Sequence, residues 1–464
     1  MNTKNMRNVD QSLFPSSFVW GAASSAFQIE GFSTADGGGA SVWDTFCHTP
    51  DKVANNDTGD IACDAYHRYG EDIALASKIG LTAYRFSISW SRIDPLGDGN
   101  WNMSGLAYYQ ALVDCCISYN IEPYITLHHW ELPQALEDQG GWLNLNTAKA
   151  FERYAAFIAE HFKGKVTHMI TINEPQCIIK LGYGDGVHAP GKQLNQQDLF
   201  TCWKHLCLAH GFALRAIKIC DPSIQVGIAS TGRLCYPETP SSEDYEASRE
   251  ACFQLFDEDW VFTHSLLFDP VCLGHFPPCP HTRLEQLASD ITPAEWQIIH
   301  AIPDFIAVNI YNGWSVRQGN DKTPEYVNRY TGYPSTALKW PVTERVMNEG
   351  IVHIYERYHL PIYISENGLS CNDKIYLDGQ VHDMDRIDFL DRYISQLQLA
   401  TNKADIRGYF HWSLTDNFEW HSGYSERFGL IYVDYPSQQR ILKDSAYWYQ
   451  QVIASNGGTL HINQ

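Results

Sequence analysis

The stretch HMITINEPQ, residues 168–176, begins as a buried strand and ends as something else. Ile170, Thr171 and Ile172 form a β-branched apolar run that stops at Asn173, Glu174 and Pro175. A run this short reads as a strand, and a following proline withholds the next ladder donor. An amide and a carboxylate are thereby delivered to the end of a buried strand. The construction recurs at PIYISENGL, residues 361–369, where Ile362 and Ile364 lead to Glu366 and Asn367. Two strands that end in polar groups imply a place where strand ends gather.

Outward from these stretches, short apolar strands alternate with amphipathic helices. Strands are expected at 18–23, 83–87, 122–127, 167–173, 225–229, 305–309, 361–365 and 408–412. Helices are expected at 66–78, 106–119, 148–162, 203–219, 346–358 and 385–400, the first stopped by Gly80. Strand–helix repetition without a strand-rich block implies parallel strands with helical crossovers. Eight such steps fit a closed (β/α)8 TIM barrel with extended βα loops. A doubly wound open sheet is the competing arrangement, but it usually has fewer strands and a Gly-rich nucleotide turn. No linker or low-complexity tract divides residues 1–464, so one catalytic domain is expected; barrels with insertions reach this length.

Composition narrows the function. Charged residues make up 19% and hydrophobic residues 44%, the balance of a folded chain. The net charge of −21 disfavours nucleic acid and anionic membranes as partners, since both need a basic face. The stretch MNTKNMRNVDQSLFPSSF shows no apolar core of signal-peptide length, and no apolar run is long enough to span a bilayer. A cytoplasmic protein is expected. Its 13 cysteines then read as free, mostly buried thiols, and the odd count argues against a complete disulfide framework.

In a barrel, chemistry gathers where strands end and βα loops begin. Those positions are polar and aromatic here. The first strand runs toward Gln28 and Glu30, and the second carries Arg85. The third ends in LHHWELP with His128, His129 and Trp130. The fourth ends at Asn173 and Glu174, the sixth at Asn309 and Tyr311, and the seventh at Glu366 and Asn367. The eighth enters HWSLTDNFEW with Trp412, Glu419 and Trp420. Singly, each has an ordinary structural reading as an ion pair, a core indole or a satisfied imidazole. Jointly, seven strands deliver polar groups to one rim, and burying them without a ligand would leave desolvated dipoles. Aromatic rings beside carboxylates and amides describe a sugar site, and paired carboxylates in one suggest glycoside hydrolysis.

The chain resembles the family 1 glycoside hydrolases, the β-glucosidase and β-galactosidase group. The resemblance runs from FVWGAASSAFQIEG at residue 18 to RFGLIYVDY and KDSAYWYQ near residue 450. TINEP, ISENG and HWSLTDNFEW occur in the family's order. The resemblance implies a (β/α)8 barrel with Glu174 as acid/base and Glu366 as nucleophile, the latter flanked by Arg85 and Tyr311. It implies that Gln28, His129, Asn173, Glu419 and Trp420 hold the non-reducing sugar over the floor of Trp412. Trp130, Asn309 and Phe428 join that substrate-binding set, and Trp340 matches the leaving-group platform. Expected is a retaining exo-β-glycosidase, a β-glucosidase foremost, with β-galactosidase and β-fucosidase side activity. Its partners would be small β-glucosides or β-linked oligosaccharides. No cofactor and no metal is implied, and a homo-oligomer is left open. The alternatives are a 6-phospho-β-glycosidase, a transglycosylase, or a sugar-binding protein without chemistry.

Departures from the family pattern fall on the leaving-group side. Gln176 follows NEP where the family often has Trp, GIASTGR has Ser230 and Thr231 where an Asn is common, and the residues after Trp340 diverge. Ser365 stands for the usual Thr before the nucleophile. EWHSGYSERFG lacks the lysine typical of phospho-glycosidases, and Glu419 would repel a 6-phosphate. Two further motifs carry little. Cys272, His275, Cys279 and His281 in CLGHFPPCPH have no standard zinc spacing, and ADGGGASVW lacks the Lys-Ser/Thr of a phosphate loop.

Overall fold

A computed structural model describes residues 13–256 and 259–461. Most of the N-terminal stretch MNTKNMRNVDQSLFPSSF, residues 1–12, lies outside them. Eight strands form a closed barrel: β1 Val19–Ala23, β2 Ala83–Ser87, β3 Glu122–His128, β4 His168–Asn173, β5 Gln225–Ser230, β6 Phe305–Asn309, β7 Ile362–Asn367 and β8 Ile406–Trp412. All neighbours are parallel, and β1 closes the ring against β8 with Val19 opposite Gly408. The open-sheet alternative is thereby excluded.

The strands are apolar on both faces because helices cover the outside and side chains fill the inside. Small and large residues interleave within the barrel. Ala23, Ala83, Ala229 and Ala307 make room for Tyr124, Phe305, Tyr363 and Phe410. At Gly227 a Cβ would stand 2.2 Å from the Phe305 ring, so only glycine admits that ring.

The helices begin and stop where the sequence supplies caps. The Asn144 side chain accepts from the Asn146 N–H to start Leu145–Phe162. Gly80, at φ +88°, ends Ala65–Ile79. The helix expected at 346–358 is broken in two: a 3₁₀ turn, Glu344–Met347, precedes Glu349–Tyr358, with Asn348 out of helical register between them. Elements that the periodicity does not reveal decorate the barrel mouth. Cys235–Pro237, Trp314–Gln318 and Pro324–Tyr326 form a small sheet after β5 and β6. Ile431–Asp434 pairs with Gln439–Leu442 after β8. All 13 cysteines are free thiols, most of them buried. No helix among the described residues is long and apolar enough to cross a membrane.

Candidate active site

Two irregularities aim the carboxyl groups. β4 follows β5 in register to Ile170 opposite Gly227, then slips so that Asn173 meets Ala229. β7 slips against both neighbours between Ile364 and its last residues, which puts Glu366 opposite Asn309 and Asn367 opposite His411. Such slips re-aim side chains at a barrel rim. Glu174 lies in the left-handed region at φ +44°, and Pro175 opens the helical turn Pro175–Cys177. A residue before proline is disfavoured in the right-handed helical region, which suits this abrupt exit. The Glu174 N–H still donates to the Ala229 carbonyl at 2.9 Å, so the backbone stays tied while the side chain turns to the mouth.

Glu366 is buried and held from two sides. Arg85 Nη1 donates to its Oε1 at 2.7 Å, and the Tyr311 hydroxyl donates to its Oε2 at 2.8 Å. Arg85 is itself fixed by Thr126 Oγ1, the Ser365 carbonyl and Asn173 Oδ1. Burial pushes the Glu366 carboxyl up, and Arg85 and Tyr311 work against that push. Glu174 accepts from Asn309 Nδ2 at 2.8 Å and from the Cys177 thiol at 3.2 Å. Burial first, then the charge of Glu366, pushes Glu174 up to about 7. The Asn309 amide is also among the groups that favour ionised Glu366.

Arg85 has donors only, and this orients a chain of amides. Asn173 Oδ1 accepts from Arg85 at 2.7 Å and from Asn309 Nδ2 at 3.1 Å. Asn173 Nδ2 therefore donates to His129 Nε2 at 3.0 Å, which assigns the His129 proton to Nδ1. Burial and then the Arg85 charge keep that imidazole neutral. On the far side, Ser365 Oγ donates to Asn309 Oδ1 at 2.5 Å.

Both carboxyls open into one cavity of about 730 Å³, lined also by His129, Trp130, Asn309, Tyr311, Trp412, Glu419, Trp420 and Phe428. Trp130 lies tilted against Trp420 with centroids 4.5 Å apart, and its Nε1–H donates to the Asn173 carbonyl. His129 lies over Trp412, and Trp340 meets Tyr311 edge-on at 5.2 Å. Gln28 Nε2 donates to Glu419 Oε2 at 3.2 Å and to the Phe418 carbonyl, while Ser25 donates to Gln28 Oε1. Burial, then the charges of Glu366 and Glu426, push Glu419 up to about 8.

Not every polar strand end reaches the cavity. Gln28, Arg85 and Asn173 stand behind its wall and grip residues that form it. Glu30 is buried in a pair with Arg92 at 3.1 Å, and Tyr109 donates to it. His128 packs among Trp90, Trp142 and Phe151. Asn367 donates to the Ile310 carbonyl and accepts from Tyr409, so it knits strand ends together. No group of three or more metal-ligating side chains converges among the described residues, and Cys272 is buried while His275 is exposed. Cys177 is not among the residues that the motifs single out, although its spacing of three residues from Glu174 on a helical turn brings the two side chains together.

Residues 10–458 match the model of Glycosyl hydrolase family 1. Beta-glucosidase A of Thermotoga maritima is 38% identical over 96% of this chain and 98% of its own. A 1,4-beta-D-glucan glucohydrolase of Thermotoga neapolitana is 38% identical over 96% and 99%. The aryl-phospho-beta-D-glucosidase BglC of Bacillus subtilis is 35% identical over 96% and 98%. Among solved structures, beta-glucosidase from Thermotoga maritima in complex with glucoimidazole superposes with a TM-score of 0.86 at 38% identity, over 96% of this chain and all of that one.

Proposed function

Because the chain belongs to glycosyl hydrolase family 1, we propose that it is a retaining exo-β-glucosidase that releases terminal β-D-glucosyl residues from small β-glucosides. β-Galactosides and β-fucosides are its secondary substrates. The observation that carries this reading is the dyad. Two buried carboxyls from β4 and β7 share one cavity, one gripped by Arg85 and Tyr311, the other pushed up to about 7. A single amide, Asn309, acts on both, which supports the short separation of about 5 Å typical of retaining pairs.

In the first step the Glu366 carboxylate bonds to the anomeric carbon as the glycosidic C–O bond breaks. Glu174 gives its proton to the departing oxygen, and the aglycone leaves as an alcohol. In the second, Glu174, now ionised, takes a proton from water. The water oxygen bonds to the anomeric carbon, and the ester to Glu366 breaks. One carboxyl serves as acid and then as base because its neighbour's charge disappears on esterification. His129, Glu419 and Trp420 hold the sugar over Trp412, with Gln28 fixing Glu419 and Asn173 fixing His129 from behind the wall. The whole chain works as one catalytic unit, and its 13 free thiols fit a reducing compartment.

A phosphorylated sugar lacks a counter-ion here. Arg233 is the one cation among the described lining residues, and its guanidinium donates to the Ala251 and Gln254 carbonyls. The test is a pair of variants. Glu366→Gly abolishes turnover and regains part of it with added azide, while Glu174→Ala spares activated aryl glucosides far more than alkyl ones. Equal losses on both substrate types in both variants would refute the assigned roles.

A further inference from the structure

Several thiols of this chain have ordinary partners. Cys47, Cys63, Cys220 and Cys252 donate to backbone carbonyls. Cys177 differs. It lines the cavity beside Glu174, and its thiol donates to Glu174 Oε2 at 3.2 Å. The turn Pro175–Cys177 builds this contact, and within it the Cys177 N–H donates to the Glu174 carbonyl at 2.9 Å. Thiol and carboxyl are thus held by one turn of chain.

The other oxygen of Glu174 has a partner that cannot change. Asn309 Nδ2 donates to Oε1 at 2.8 Å and to Asn173 Oδ1, and Asn309 Oδ1 accepts from Ser365. Turning that amide over would break all three bonds. Both carboxyl oxygens accept a hydrogen bond in the ionised form, but only one of the two donors can step back when a proton arrives. A thiol hydrogen rotates about the Cβ–Sγ bond, and sulfur accepts as well as donates. The charged groups that face Glu174 are Glu366 on β7, Arg85 on β2 and Glu419 after β8, with the Tyr311 hydroxyl after β6. The neutral His129 after β3 lines the same cavity. Burial, then the charge of Glu174, pushes the Cys177 thiol far above its ordinary range, so it keeps its hydrogen.

We propose that Cys177 is a positioning residue of the acid/base: its thiol fixes the transferable proton of Glu174 on Oε2 and, by turning its own hydrogen back, supports the carboxylate after that proton has left. The proposal rests on the acid/base reading of Glu174 above. In the protonated enzyme Oε1 stays an acceptor for Asn309, Oε2 carries the hydrogen, and the thiol points its S–H elsewhere. When the proton passes to the leaving oxygen, Oε2 shares the negative charge and the S–H swings onto it. The reverse swing accompanies proton capture from water in the second step. No atom passes to or from sulfur.

The experiment reads the S–H stretch, which lies apart from other protein bands. Infrared difference spectra of the unaltered protein are taken below and above the Glu174 titration near pH 7, with Cys177→Ala as the blank. The expected result is a Cys177 band that moves to lower frequency as pH rises and that stops moving in Glu174→Gln. Rates give a second readout. Loss of a donor to the carboxylate favours its protonated form, so the alkaline limb of kcat/KM on p-nitrophenyl β-glucoside moves up by roughly half a pH unit in Cys177→Ala. Cys177→Ser, which keeps a rotatable donor, brings the limb back. The position of a limb does not depend on how much of the sample is folded. A band indifferent to pH, or a limb that stays in place in Cys177→Ala, would overturn the proposal while leaving the glucosidase reading intact. A Glu174→Gln enzyme with full turnover of alkyl glucosides would sink both.

Discussion

The least ordinary residue in the molecule is Glu174. It sits in a left-handed backbone conformation, and its carboxyl is pushed up to about 7 by burial and by Glu366. Two interacting carboxyls titrate as a pair, so each must respond when the other loses its charge. In Glu366→Gln the Coulombic push is gone, and Glu174 falls from about 7 toward the ordinary carboxylate range. An infrared difference titration of ¹³C-glutamate-labelled protein, blanked against Glu174→Gln, reads this directly. An unchanged Glu174 would mean that burial alone sets its proton affinity, and the acid-to-base switch would lose its cause. At this scale the sequence was informative, because residue type carries the chemistry: Glu174, Glu366, Arg85 and Tyr311 were readable as single letters beside their motifs. The tautomer of His129 was not readable. It follows from Arg85 through Asn173, residues 88 positions apart that meet only in the fold.

At the scale of elements, the informative feature is the exit of β7. The apolar pattern predicts that this strand ends at residue 365, whereas Glu366 and Asn367 belong to it. A register slip leaves no mark on an apolar pattern, so the strand's last two residues could not be assigned from periodicity. The small sheet of Cys235–Pro237, Trp314–Gln318 and Pro324–Tyr326 was invisible for a related reason: its strands are short and their pairing is non-local. The glycine of ISENG has a physical explanation in the fold. A Cβ on Gly368 would lie 1.9 Å from the Trp412 carbonyl oxygen, and a backbone oxygen cannot rotate aside. Gly368→Ala must therefore part the rims of β7 and β8, which carry Glu366 and Trp412. The expected cost is about 1–3 kcal/mol of stability, with a loss of kcat/KM larger than that of a remote destabilising variant. Calorimetry and initial rates check it; a wild-type melting point with wild-type turnover would show that the rims have slack.

Across the whole molecule, two sets of buried ionisable groups pull stability in opposite directions with pH. Burial holds His353 near 3, and it holds His128, His264 and His411 near the same value. Burial, with the charge of Glu30 adding to it, pushes Glu131 up to about 8. An imidazole lowered in the folded state is neutral there but protonated in the unfolded chain below about 6.5, so it costs stability as pH falls from 6.5 toward 3. A carboxyl raised in the folded state gives stability that is complete below about 4.5 and is lost as pH rises through 8. Two variants away from the sugar cavity separate these contributions. His353 lies between helices on the outside of the barrel, where its Nε2 meets Ser248 Oγ at 3.0 Å. His353→Gln removes one titrating imidazole, so relative to the parent it gains stability as pH falls from 6.5 to 4, by up to about 1.4 kcal/mol per pH unit. Glu131→Gln keeps a neutral side chain at the Phe27 N–H, which Glu131 Oε2 accepts at 3.1 Å, and relative to the parent it gains as pH rises from 5 to 8. Denaturant midpoints at pH 4.5, 6.5 and 8 give both differences. The signs must be opposite, because one group is stabilised without its proton and the other with it. Differences that stay constant with pH would mean that these groups find water in the folded state and that their burial is not what shifts them.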